Sequence, residues 1–198
     1  MQFHPAVSAF AIFAISSIPL QAQSSLQAPV SFQVQEPAQE HAQEQTQEHS
    51  YDRRLRMYDT HSRQHLNVVY RRGAEYIPAA LGKLDAFLRD AFTGEVHRYD
   101  PRLFDLLSDL THASGQIDPE INIICGFRTP STNEYLRTHT SGVAKNSLHM
   151  KAEAIDIRLP GLKTSLLRDL ALALRRGGVG YYPSSDFIHV DVGQVRRW

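Results

Sequence analysis

The stretch that decides the fold is Ser147-Leu148-His149-Met150-Lys151-Ala152-Glu153-Ala154-Ile155-Asp156-Ile157-Arg158, read with Asp186-Phe187-Ile188-His189-Val190-Asp191-Val192 near the end of the chain. From Ala154 to Leu159 the residues alternate, with Ile155, Ile157 and Leu159 on one side and Asp156 and Arg158 on the other. The second stretch sets Ile188, Val190 and Val192 against His189 and Asp191. Period-two alternation of this kind predicts strands with one apolar face and one chemical face. If both strands share a sheet, Asp156 and His189 stand together on its exposed side, and His149 reaches them from the preceding loop.

Two imidazoles and a carboxylate are a donor set for zinc, which in catalytic sites keeps one position open for water. His149, Asp156 and His189 are therefore the candidate metal ligands. Two neutral imidazoles and one carboxylate leave the ion with net positive charge, able to polarise a carbonyl and acidify bound water.

Outward from this centre the chain reads as α+β. Strands are expected at Arg54 to Tyr58 and Leu66 to Tyr70 around the turn Asp59 to Gln64. A helix is expected from Pro78 to Phe92, closed by Gly94. A second opens at Asp100-Pro101, with Asp100 as cap, and Thr129-Pro130 opens a short third. A buried strand runs from Ile121 to Cys125, and a last helix from Leu162 to Arg176 is stopped by Gly177-Gly178. The expected architecture is a small, mainly antiparallel sheet with helices on one face and the zinc site on the other.

Net charge is zero, which gives no general case for nucleic acid or a membrane surface. The single cysteine, Cys125, cannot form an internal disulfide and reads as a small buried hydrophobe. Residues 1–22 read as a signal peptide, with an apolar run from Ala6 to Ile15 and a cleavage site at Leu20-Gln21-Ala22. Residues 23–50, rich in Gln and Glu, read as a disordered linker that buries too little apolar surface to fold. Residues 51–198 remain as the zinc domain. Arg53, Arg54, Arg56, Arg71 and Arg72 read as a solvated basic face, one that could meet an anionic wall polymer.

The spacing of His149 and Asp156, followed by Asp186-x-x-His189, resembles the LAS zinc peptidases, which include the hedgehog-like fold. Gly126-Phe127-Arg128-Thr129-Pro130, the run Val143 to His149, and Gly178-Val179-Gly180-Tyr181-Tyr182-Pro183 narrow the resemblance to the MepK-type murein endopeptidases of the D-Ala-D-Ala metallopeptidase group. It covers about Arg54 to Trp198. The resemblance implies a Zn2+-dependent endopeptidase that opens peptide cross-links of peptidoglycan, periplasmic or secreted. Its expected partners are peptide stems, with no nucleic acid, no membrane insertion after processing, and a monomeric state.

It also implies Asp186 as general base, leaning over the metal from the turn Pro183 to Asp186. Asp191, which has the parity of His189, is the rival base or the support of a ligand histidine. Arg128 is expected near the oxyanion. Ser147 caps the loop or meets substrate, and Tyr181, Tyr182 and Phe187 could wall the cleft. Ala152 stands where the family usually has glycine. The alternatives are a D-Ala-D-Ala carboxypeptidase and a non-catalytic, zinc-containing peptidoglycan-binding module.

Overall fold

The computed structural model describes residues 52–140 and 142–198. The expected signal peptide and linker lie outside the described residues. The elements are β1 (Asp52–Asp59), β2 (His65–Arg72), β3 (Glu75–Tyr76), α1 (Pro78–Phe87), α2 (Pro101–Ala113), β4 (Ile121–Cys125), α3 (Pro130–His139), β5 (Ala154–Arg158), α4 (Thr164–Leu174), β6 (Gly178–Tyr182), β7 (Phe187–Asp191) and β8 (Arg196–Arg197). Short 3-10 turns at Leu148–Lys151 and Pro183–Ser185 precede β5 and β7.

All strands join one eight-stranded sheet in the order β3-β2-β1-β4-β5-β7-β6-β8. Neighbours are antiparallel except β1 with β4 and β6 with β8. The sheet is thus larger than the small one expected. The register that matters is β5 against β7, where Asp156 lies directly opposite His189 and Ile155 opposite Val190. Ile155, Ile157, Ile188 and Val190 are at most 1% exposed and join one core with Leu84 of α1, Leu103, Phe104 and Leu107 of α2, and Leu167 of α4. Burying each such side chain contributes roughly 1.5–3 kcal/mol, which pins the register, because a one-residue slip would turn the apolar set outward.

Two helix boundaries differ from expectation. Helix α1 stops at Phe87, not Phe92. The Leu88 carbonyl accepts from Phe127 N–H and the Tyr99 hydroxyl instead of continuing the helix. Asp90, fully buried, gathers the N–H groups of Phe92, Thr93 and Thr129. Helix α4 ends on Arg175, which takes the left-handed conformation itself (φ 51°). Gly177 serves another purpose: a Cβ there would lie 1.7 Å from the Asp191 carbonyl oxygen. The glycine lets β6 enter against β7 at backbone distance.

The helix starts follow the sequence. The Asp100 carboxylate accepts from Arg102 N–H, and the Thr129 hydroxyl oxygen accepts from Thr132 N–H. The arginines of β1 and β2 are not a free basic face. Arg53 pairs with Asp109, Arg54 and Arg56 with Asp118, Arg71 with Asp105 and Arg72 with Asp52. These partners neutralise most of the charge that the sequence places on those strands.

Candidate metal centre

The Leu148–Lys151 turn carries His149 to the chemical face of β5 and β7. Its entry is capped by Ser147, whose Oγ accepts from His149 N–H. Its exit is Ala152, fully buried and left-handed at φ 53°. That conformation is one glycine adopts without strain. The same turn lets Arg128 N–H donate to the His149 carbonyl, tying β4 to the site.

His149, Asp156 and His189 meet there. His149 Nε2 lies 3.2 Å from Asp156 Oδ1 and 3.1 Å from His189 Nδ1, and His189 Nδ1 lies 2.9 Å from the same Oδ1. All three are buried, at 2%, 5% and 7% exposure, and they line the floor of a cleft rather than standing out into solvent. Each imidazole has its other nitrogen occupied. His149 Nδ1–H donates to the Gly126 carbonyl at 2.7 Å. His189 Nε2–H donates to Asp191 Oδ2 at 3.1 Å. Those acceptors fix the tautomers, since a carbonyl or a carboxylate can only accept.

Two ring lone pairs and a carboxylate oxygen therefore face one another across about 3 Å. Such an arrangement repels itself unless a proton or a cation lies between. Ligands about 2.0–2.2 Å from a tetrahedral zinc stand roughly 3.3 Å apart, so the donor set fits that ion. Without a metal, protons take the role. Burial lowers the His149 pKa, but the Asp156 carboxylate outweighs it and holds the ring protonated above the usual histidine range.

The surrounding groups are ordered by this trio. Asp191 is fully buried. Besides His189, it accepts from Gly178 N–H and Gly193 N–H, at 2.9 Å each, and from Arg196 at 2.7 Å. Burial pushes its carboxyl upward, and these donors together hold it well below the usual range. Arg128 donates from its Nη2 to the second oxygen of Asp156 at 3.2 Å and from Nε to Cys125 Sγ at 2.9 Å.

Asp186 is not brought to the trio. Its carboxylate accepts from the Thr164 hydroxyl and pairs with Arg158 Nε at 3.0 Å. Its left-handed backbone (φ 52°) ends the Pro183–Ser185 turn facing α4. The turn sets Asp186 where the chain enters β7, as expected, with its carboxylate on Thr164 and Arg158 rather than over the metal position. Ser185, beside it, does line the cleft.

Cys125 is the residue sequence reasoning misplaced. It is half-buried, pairs with Asp156 across β4 and β5, and its sulfur lies within 4.8 Å of ligand atoms of His149 and Asp156. A register shift between Ile123 and Cys125 turns it toward the site, which simple alternation could not foresee.

The cleft around the trio has two halves. One, of about 330 Å3, is lined by His149, Asp156, His189, Tyr182 and Trp198. The other, about 400 Å3 and mostly apolar, runs along Phe87, Phe92 and Phe127. They meet at Arg128, Leu136, Thr140, Asp156 and Phe187. Tyr182 and Phe187 stack at 4.6 Å and form part of the wall. Tyr181 does not: it lies under Arg168 on another surface. Trp198, absent from the sequence reading, sits 5.2 Å from the His189 ring and donates from its indole N–H to the Tyr182 hydroxyl.

Residues 47–198 match the sequence model of the family described as peptidoglycan L,D-endopeptidase MepK. Among individual proteins, a probable peptidoglycan L,D-endopeptidase MepK of Haemophilus influenzae is 48% identical over 123 residues, covering 62% of this chain and 66% of that protein. The peptidoglycan L,D-endopeptidase MepK of Escherichia coli K12 is 39% identical over 144 residues, covering 73% of this chain and 79% of that protein. The Shigella flexneri protein of that name matches over the same lengths at the same identity. The chain belongs to the peptidoglycan L,D-endopeptidase MepK family.

Proposed function

We propose that the chain is a zinc-dependent endopeptidase that hydrolyses peptide cross-links of peptidoglycan outside the cytoplasm. Residues 1–22 would serve as its export signal and 23–50 as a tether to the domain. The observation that carries this reading is the convergence of three lone-pair donors on one buried point at the floor of a cleft. His149, Asp156 and His189 would hold the zinc. The bound ion would supply Lewis-acid polarisation of the scissile carbonyl and an activated water.

The remaining work falls to named side chains. Asp191 holds His189 in the tautomer that leaves Nδ1 free, and the Gly126 carbonyl does the same for Nε2 of His149. Arg128 orients Asp156 and lines both halves of the cleft, where its guanidinium can meet the charge that develops on the substrate oxygen. Of the two candidate bases, Asp191 is fully buried and saturated by donors, whereas the Asp186 side chain is 61% exposed and held by Arg158 and the Thr164 hydroxyl. Asp186 is therefore the proposed proton acceptor, released from Arg158 and Thr164 when substrate enters, and Asp191 the support. The cleft continues past Asp156 into its apolar half, which suits a chain crossing the site rather than a terminal residue bound at a dead end.

The test is digestion of purified cross-linked muropeptides with and without a zinc chelator. Bridged dimers resolved into monomers, with the reaction stopped by chelator and restored by zinc, are the expected result. Release of only a terminal D-Ala would favour a carboxypeptidase, and binding without turnover a recognition module.

A further inference from the structure

Gly180 of β6 lies directly opposite His189 of β7. A Cβ at Gly180 would stand 2.7 Å from the indole of Trp198, so the bare glycine makes the room in which that ring lies. Main-chain bonds hold it there: Trp198 N–H donates to the Val179 carbonyl, and Tyr181 N–H donates to the Trp198 carbonyl. The Arg196 guanidinium lies 5.0 Å from the indole, and the His189 ring 5.2 Å. Strand alternation sets Tyr182, two residues after Gly180, on the same chemical face. Its ring is fixed by the stack on Phe187, and its hydroxyl oxygen accepts the Trp198 indole N–H at 2.9 Å.

An indole nitrogen can only donate. The single hydroxyl hydrogen of Tyr182 is therefore turned away from Trp198, and it has no acceptor among the described residues. Accepting one hydrogen bond also strengthens the donation of the next. Tyr182 and Trp198 both line the half of the cleft that holds the trio. Other polar groups of that half are already engaged. The Thr140 hydroxyl donates to the Leu136 carbonyl, the Ser147 hydroxyl oxygen caps the turn at His149, and Arg128 divides its donors between Asp156 and Cys125. We infer that Tyr182 is a catalytic residue, its hydroxyl donating to the carbonyl oxygen of the scissile bond as charge gathers there, and that Trp198 is the positioning residue that aims it. The hydroxyl gives a hydrogen bond and transfers no proton. It shares the developing charge with Arg128, which lines the same half. That the bond is a peptide bond rests on the peptidase reading; the direction of the hydroxyl does not.

The test compares the zinc-loaded parent with Tyr182→Phe, Trp198→Phe and the double variant. Tyr182→Phe keeps the ring on Phe187, and Trp198→Phe keeps an aromatic side chain without the N–H. Two quantities are read: turnover of cross-linked muropeptides, and calorimetric binding of a phosphinate analogue of the cross-linked peptide, whose tetrahedral anion imitates the charged intermediate. Tyr182→Phe should lower kcat by roughly 100-fold with KM close to the parent's, and should weaken the phosphinate by a similar factor. Trp198→Phe should lower kcat by about tenfold, the scale of one neutral hydrogen bond. The double variant should be no slower than Tyr182→Phe, because Trp198 acts through the hydroxyl. Zinc content and melting temperature control for ligation and folding, and Tyr182→Phe decides the matter if Trp198→Phe loosens the tail. Parent-like kcat in Tyr182→Phe overturns the catalytic role, and losses that multiply in the double variant overturn the positioning role. The two readouts keep this claim apart from the peptidase reading. A parent that cleaves no better than Tyr182→Phe refutes the hydroxyl alone. A parent that binds the phosphinate through Tyr182 yet leaves the dimers intact refutes the peptidase reading alone.

Discussion

Asp191 stands behind His189 on the same face of β7, its Oδ2 3.1 Å from the histidine Nε2, so the ring's other nitrogen is directed at Asp156. The pair is two residues apart in sequence, and strand alternation alone puts both side chains on one side. A carboxylate behind a ligating imidazole fixes its tautomer and raises its basicity.

Asp191→Asn tests that arrangement. The amide would present a donor to a ring nitrogen that now donates, or give up the N–H groups of Gly178 and Gly193. Zinc affinity should fall by roughly 10–100-fold, and excess zinc should restore part of the activity. Competition against a chromophoric chelator measures it. Parent-like zinc affinity would reduce Asp191 to a packing role.

Asp186→Ala tests the proposed base apart from its ties to Arg158 and Thr164. Zinc content should stay at the parent level, and stability should change by no more than about 1 kcal/mol, the range of exposed ion pairs. Turnover should nearly vanish. Normal turnover at saturating zinc would leave Asp186 as a clasp for Arg158 and Thr164 and nothing more.

Arg128→Ala removes the group that holds the second oxygen of Asp156 and faces both halves of the cleft. With zinc kept saturating, kcat should drop by on the order of 100-fold, as for the loss of one donor to a developing oxyanion. A higher KM with kcat intact would instead mark a contact made equally in the ground state.

Much of this site was legible in the sequence, because its logic is periodic. Ile155, Ile157, Ile188 and Val190 had to be buried together, and that requirement carries Asp156 to His189 in register. The caps Asp100 and Thr129 were legible for a similar reason, since each satisfies N–H groups a few residues away. What could not be read depends on contacts distant along the chain. Helix α1 ends early because Phe127 and Tyr99 claim the Leu88 carbonyl. Asp186 turns away because Arg158 and Thr164 compete for it. Gly177 looked like a helix stop, yet the close approach of Asp191 is what requires it. Ala152 departed from the family's glycine, and the left-handed backbone there accounts for the family's preference.

Zinc uptake should release protons. In the metal-free site burial works against a charged His149, but Asp156 prevails and raises its pKa. A raised pKa means the ring is protonated below that value, and zinc binds only the neutral form. Apparent zinc affinity should therefore weaken steadily as pH falls and strengthen as it rises toward the raised pKa. Calorimetry in buffers of different ionisation heat counts the protons. No proton released at neutral pH would contradict this electrostatic picture.

The most direct test of the central claim joins metal to chemistry in one preparation. Zinc per chain is measured by elemental analysis for the parent, His149→Ala and His189→Ala, and each is incubated with cross-linked muropeptide dimers whose products are identified by mass. The parent should hold one zinc and cleave the bridge, while both variants lose the zinc and the cleavage together. Undiminished zinc in both variants, or dimers still cleaved by zinc-free protein, would contradict the account.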